Sequence, residues 1–332
     1  MEKQEKGLLY NLVMKRPKEI LGFFVFVVIF CFIPLFVHSS YYLHLLIKVA
    51  MDAILAMTFI LMLRVGLISL AIAAFWSIGA YASTLLVMEL NLSFWLALPS
   101  ATIITGIIAL GIGYILVRNT GFSFLILTSV FGMIIVLIYG NIPQVGGYQG
   151  IEAIPPPDSI LFPFLGPIEF MSKIPYYYLI LSLMVLVVLL FAALYGSWIG
   201  RAWRSTALSP QLAESIGVDL FKYRLLAFVI ASAAAGLVGS YYAHYLGAVT
   251  PPTFNIFKTI TIHIYAILGG REFAILGPLV GSLIMTFVPE FFRITKEVEP
   301  IFSGCLMIFL ILFLPKGVLS LFTRKRKNTF RI

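Results

Sequence analysis

Ten apolar stretches run through this sequence, at residues 20–38, 43–63, 67–90, 95–117, 122–142, 175–196, 224–246, 257–270, 274–292 and 300–320. A bilayer core of about 30 Å needs roughly 20 apolar residues per helical crossing. Most of the stretches meet that length, so the fold class is an all-α, polytopic membrane protein of about ten transmembrane helices. Hydrophobic residues make up 61% of the chain and charged residues 11%. Soluble domains sit near 45–50% and about 25%. That balance excludes a soluble enzyme, a disordered chain and a disulfide-stapled secreted domain. The eighth stretch is too short to span comfortably, so it reads as broken, re-entrant or half of a hairpin with the ninth. The first is longer than a signal-peptide core, so it reads as a retained anchor.

Lys and Arg set the orientation. With both termini cytoplasmic and ten alternating spans, 18 of the 23 basic residues fall inside. They include Arg64, Arg118, Arg201, Arg204, Arg271 and the run Arg324–Lys327. Lys173, Lys258, Arg293 and Lys296 fall outside, and Lys48 falls within a span. The chain then divides into a cytoplasmic segment 1–19, a membrane domain 20–320 and a basic cytoplasmic tail 321–332. The tail suits acidic lipid headgroups rather than nucleic acid.

Two loops are long. The extracytoplasmic one, 143–174, holds Gly146, Gly147 and Gly150 and the run Pro155–Pro157, which favours turns and stiff polyproline II. The cytoplasmic one, 197–223, contains a short helix signal. Ser209 fits an N-cap, Pro210 the first helical position, and Gly217 the residue past the end. Leu212 and Ile216 share one face at i, i+4. Two turns of helix are not stable alone in water, so this helix needs a surface to dock on.

Chemistry-bearing motifs are missing. No Gly-Lys dipeptide occurs, so there is no Walker A loop, and HExxH and GxSxG are also absent. The chain reads as a non-enzyme without cofactor or metal. His38, His44, His244 and His263 stand singly, and Cys31 and Cys305 read as packing residues in apolar runs. The second stretch carries Lys48 and Asp52 at i, i+4. They read either as a self-satisfied pair facing the bundle interior or as the lining of a solute path or proton site. Ser69 joins them as a candidate pathway position. Small residues recur at helical spacing: Ser232, Gly236 and Ser240; Ala231, Ala235 and Gly239; Gly79 and Ser83. Such series let helix backbones approach closely.

Several segments, in order, resemble one family. GLISLAIAAFWSIGAY at 66–81 is similar to GLLSLGHAAFFGIGAY of LivM-like permeases, the membrane subunits of branched-chain amino-acid ABC importers. VGGYQGI at 145–151 resembles their TGGxxGI. GRAWRS at 200–205 and AESIGV at 213–218 resemble GRALRA…AEALGI. YRLLAFVIASAAAGLVGSYYA at 223–243 resembles their next span. ILGGREFAILGPLVGS at 267–282 resembles VLGGLGTLWGPVLGA, and FLPKGV at 313–318 resembles FLPRGL. The resemblance covers about residues 45–320. Departures fall at Phe59, where an Asn is usual, at Ala71 and Ile72, and at Ala207–Ser209. Lys48 and Asp52 are not family features.

The resemblance implies an ABC importer permease bundle in the cell membrane. Its partners would be a second, LivH-like permease, two ABC ATPase subunits and an extracytoplasmic solute-binding protein. It implies that the 197–223 loop docks on an ATPase through Gly200, Arg201, Arg204, Ser209, Leu212, Ala213, Glu214, Ile216 and Gly217. The solute would be a branched-chain amino acid or a related small polar molecule. An ion-coupled secondary transporter using Asp52 is the alternative.

Overall fold

The structure is a computed structural model that describes residues 17–36, 39–162, 166–291, 304, 308 and 317–321. Helices dominate. They are α1 (Pro17–Phe36), α2 (Ser40–Leu63), α3 (Ile72–Met88), α4 (Phe94–Leu116), α5 (Phe122–Asn141), α6 (Lys173–Gly196), α7 (Trp198–Leu208), α8 (Pro210–Ser215), α9 (Leu220–Leu246), α10 (Ile256–Gly270) and α11 (Leu276–Phe291). Helices α2, α4, α5, α6 and α9 are each long and apolar enough to cross a membrane. The tenth apolar stretch and both termini lie largely outside the described residues.

Two features depart from the expected architecture. The loop 143–174 carries a small antiparallel hairpin, β1 (Ile160–Phe162) with β2 (Gly166–Ile168), a local addition to an otherwise helical fold. Residues 198–208, read as loop, form α7. Ser197 caps it, its hydroxyl oxygen accepting from the Ile199 amide at 3.1 Å. Buried Trp203 fastens α7 to the bundle, its indole donating to the Tyr223 carbonyl at 2.9 Å.

Contacts sort the connections onto two ends of the bundle. At one end the Arg64 guanidinium donates to the Glu272 carbonyl and Gly66 faces the backbone of Ala207. Arg118 lies over the Phe221 ring, and Gly317 meets the Gly270 backbone. Arg201, Arg204, Lys222, Arg224 and Arg271 belong to the same end. At the opposite end Ile151 and Val249 form a β-bridge, and the Lys173 ammonium donates to the Ser40 carbonyl at 3.1 Å. The long helices therefore alternate in direction, as the sequence spacing requires.

α3 and α9 lie at the centre of the packing, and small residues set their separation. A methyl group added at Gly79 would come within 2.1 Å of the Gly236 carbonyl oxygen. One at Gly239 would come within 2.0 Å of the Trp76 carbonyl oxygen. The small-residue series thus mark a seam where two backbones touch. Phe75, Phe228, Tyr81 and Tyr241 are buried beside it. α10 and α11 form a second close pair, with the Tyr265 carbonyl oxygen 1.8 Å from where a Gly281 methyl would sit.

Candidate functional site

α2 is 24 residues long, about 36 Å at 1.5 Å per residue, and Asp52 lies halfway along it. Asp52 is buried, and its carboxylate pairs with Lys258 rather than with Lys48, at 3.0 Å. The i, i+4 spacing puts Lys48 on the same face of α2, but Lys258 on α10 supplies the charge. Lys258 also lies over the Trp76 ring, 5.6 Å from its centroid. The expectation that Lys258 stands in an outer loop is therefore corrected: it sits at the depth of Asp52. A buried carboxylate without a cation is costly, and this pair relieves the cost.

Lys258 is only the third residue of α10, so α10 begins near mid-depth. Residues 247–255 are the reason. Gly247 takes φ +71 and closes α9, and the chain then turns back along α3. The Tyr81 hydroxyl approaches the Val249 carbonyl, and Phe254 packs edge-on to Trp76. Asn255 restarts the helix, its side chain accepting from the Lys258 amide at 2.9 Å. The eighth apolar stretch is thus a half-helix after a non-helical segment. Interrupted helices of this kind are tolerated at membrane depth only where protein satisfies the backbone.

A second interruption precedes α3, which starts at Ile72 rather than at 67. Ser69 is buried there, its hydroxyl oxygen accepting from the Ala71 amide at 3.2 Å. The Leu70 amide donates to Thr128 on α5, and the Ala73 amide donates to Thr259 on α10 at 3.1 Å. Close by, His263 stacks on Phe59 with ring centroids 3.8 Å apart. Of the pathway candidates, Asp52 and Ser69 are thus buried beside α10. Lys48, one turn from Asp52, lines a separate cavity between α2, α10 and α11.

The long loop at the far end is tied to the bundle. His244 on α9 is buried and bonds on both ring nitrogens. The Pro155 carbonyl can only accept, so Nδ1 donates to it at 2.8 Å and Nε2 accepts from the Ser83 hydroxyl at 3.0 Å. Ser83 in turn accepts from Ser240 at 2.7 Å. Asp158 receives the Ser93 hydroxyl, and the Asp158 carbonyl receives the Trp95 indole.

The loop 197–219 behaves differently. α8 runs from Pro210 to Ser215 as the capping residues foretell, although the Ser209 hydroxyl makes no capping bond. Its far end is a Schellman motif. Gly217 has φ +84, its amide donates to the Glu214 carbonyl, and the Val218 amide donates to the Ala213 carbonyl. Ala213 is buried against the bundle. Leu208, Leu212 and Ile216 are 79%, 68% and 75% exposed. Arg201, Arg204 and Glu214 are also exposed, and Gly200 packs against the Tyr195 backbone where α6 turns into α7. Beyond the loop, Asp219 caps α9. The Lys222 amide and ammonium hold its carboxyl below the usual range.

Sequence reasoning missed Lys258 and Thr259. A lysine inside the apolar segment IFKTI was a usable signal, because a charge there is expensive unless paired.

A sequence model of the family described as branched-chain amino acid transport system / permease component matches residues 41–314. The chain is 27% identical over 276 residues to the high-affinity branched-chain amino acid transport system permease protein LivM of Salmonella typhimurium, and likewise to LivM of Escherichia coli. These alignments cover 77% of this chain and 64% of each relative, so the chain matches a little under two thirds of the length of those proteins. It is 25% identical over 270 residues to the probable branched-chain amino acid transport permease protein LivH of Methanocaldococcus jannaschii, covering 76% of this chain and 82% of that one. No solved structure matches.

Proposed function

Because the chain belongs to the family of permease components of branched-chain amino acid transport systems, matched over residues 41–314, we propose that it is the membrane-spanning permease subunit of an ABC importer. The family is one of transport permeases rather than of enzymes, and the chain is a multi-pass protein of the cell membrane. In this reading it pairs with a second, LivH-like permease and is surrounded by membrane lipids. Two ABC ATPases bind the basic end, and a solute-binding protein delivers cargo at the other. Both termini and residues 197–223 are cytoplasmic, and residues 143–174 are external. The clustering of Arg64, Arg118, Arg201, Arg204 and Arg271 at one end supports that orientation. The cargo is a branched-chain amino acid or a related small polar solute.

The observation that carries the proposal is α8. A capped, Schellman-closed helix is held by Ala213 yet presents Leu212 and Ile216 outward. An apolar stripe on a rigid basic end suits a groove on a partner, and ATP-driven closure of the partners would move the permease through it. Lys48, Asp52 and Ser69 then line or gate the solute path. A proton- or sodium-coupled carrier using Asp52 is disfavoured by the resident Lys258 cation, which already neutralises that carboxylate.

Leu212→Asp puts a charge into the docking groove, costing a few kcal/mol of desolvation. The ATPases should then fail to co-purify, or should hydrolyse ATP without uptake, while expression of the permease is unchanged. Full uptake by Leu212→Asp would show that α8 is not the coupling element.

A further inference from the structure

We infer that one buried water is a built-in part of this protein, bound where α2, the start of α3 and α9 meet. The inference stands apart from the importer reading. A cavity of about 10 Å³ lies there, close to the room that one water needs. Met62 of α2, Ser69 just before α3, Ile72 of α3 and Ser232 of α9 line it, and Phe75 and Ala235 add apolar wall.

The polar groups around this cavity have hydrogen bonds to spare. Ser232 is only 5% exposed, and its hydroxyl bonds no group among the described residues. Buried hydroxyls elsewhere in the bundle behave otherwise. Thr58, Ser77, Thr84, Thr105 and Thr206 each donate to a carbonyl three or four residues back. The buried Ser69 oxygen accepts from the Ala71 amide, but its own proton reaches no acceptor among the described residues. Ile72 is the first residue of α3, so its amide has no acceptor inside the helix. The neighbouring amides of Leu70, Ala71 and Ala73 find Thr128, Ser69 and Thr259. The Ile72 amide finds no acceptor among the described residues.

Size and chemistry agree on the occupant. Buried polar groups are rarely left unpaired, and a buried water typically makes about three hydrogen bonds. A water here accepts from the Ile72 amide and from the Ser69 hydroxyl, and donates to the Ser232 oxygen. The space admits no larger molecule. The water thereby caps the first turn of α3 and ties it to α9, beside the glycine contacts that already join the two helices.

The test is X-ray radiolytic footprinting of the full chain in lipid nanodiscs, read by mass spectrometry. Hydroxyl radicals formed from a bound water oxidise the side chain that touches it. Met62 is the sulfur side chain on this cavity, and Met57, on the same helix and equally buried, is the internal control. Met62 should oxidise severalfold faster than Met57. Ser232→Val fills the space with methyl groups and removes a partner, so Met62 should then fall to the rate of Met57. Exposed Met171 reports bulk water and should not change, which separates a displaced water from a lost fold. Equal rates at Met62 and Met57 in the wild type would mean a dry cavity and overturn the inference. So would fast oxidation of Met62 that persists in Ser232→Val. Should Ser232→Val fail to fold, the wild-type contrast decides alone.

Discussion

The α3–α9 seam and the α2–α10 seam hold the same bundle together by opposite means. In the first, Gly79, Gly236 and Gly239 bring two backbones into contact, and uncharged side chains fill the rest. In the second, α10 is a half-helix that begins beside Asp52 and is joined to α2 through Lys258, while Thr259 ties it to Ala73 on α3. Backbone contact fixes one geometry, because neither partner can rotate away. An ion pair and a hydroxyl bridge act through side chains, which can turn about their own bonds, although stranding one partner of the buried pair is costly. The first seam is therefore set by backbone contact and the second by side-chain pairs.

The comparison breaks most sharply at Gly239. Gly239→Leu drives a side chain into the Trp76 carbonyl. Core overpacking usually costs about 1–3 kcal/mol, and backbone that cannot yield should make this case worse. Size-exclusion of the detergent-solubilised variant should show no monodisperse peak; a wild-type profile would dissolve the distinction between the seams. The next effect is at the ion pair. Lys258→Met strands a buried carboxylate and should cost about 3–5 kcal/mol, whereas Asp52→Leu with Lys258→Met should recover most of it. Thermal unfolding of wild type, Lys258→Met, Asp52→Leu and the double variant measures the cycle, and additive losses would mean that the pair is not coupled. The smallest effect is at Thr259→Val, which leaves the Ala73 amide without its acceptor, worth about 1–3 kcal/mol. Thr259→Ser should be near wild type, because it keeps the hydroxyl.

What the sequence made legible was local chemistry. Ser209, Pro210 and Gly217 bracket α8 because caps act over a few residues, and the small-residue series signalled close helix packing, though not which helices meet. The partner of Asp52 was not legible. Helical spacing sees Lys48 four residues away but cannot see Lys258, which is 206 residues distant. α7 was read as loop because its three arginine and serine positions mask a short amphipathic helix anchored by Trp203. The break before α10 showed only as a stretch too short to span. That the chain there runs back along α3 depends on Phe254, Trp76 and Tyr81 meeting in three dimensions.

The loop segment at 151–155 completes the backbone of the stretch that follows α9. Its Ile151 exchanges backbone hydrogen bonds with Val249, and the Ile154 amide donates to the Gly247 carbonyl. Those are backbone groups of the interrupted stretch, which no helix satisfies. Without them, bare amides and carbonyls would draw water toward the buried charges at the start of α10. Residues 151–155 therefore supply the backbone partners that the interrupted stretch lacks, and shortening them would leave its amides and carbonyls to find others.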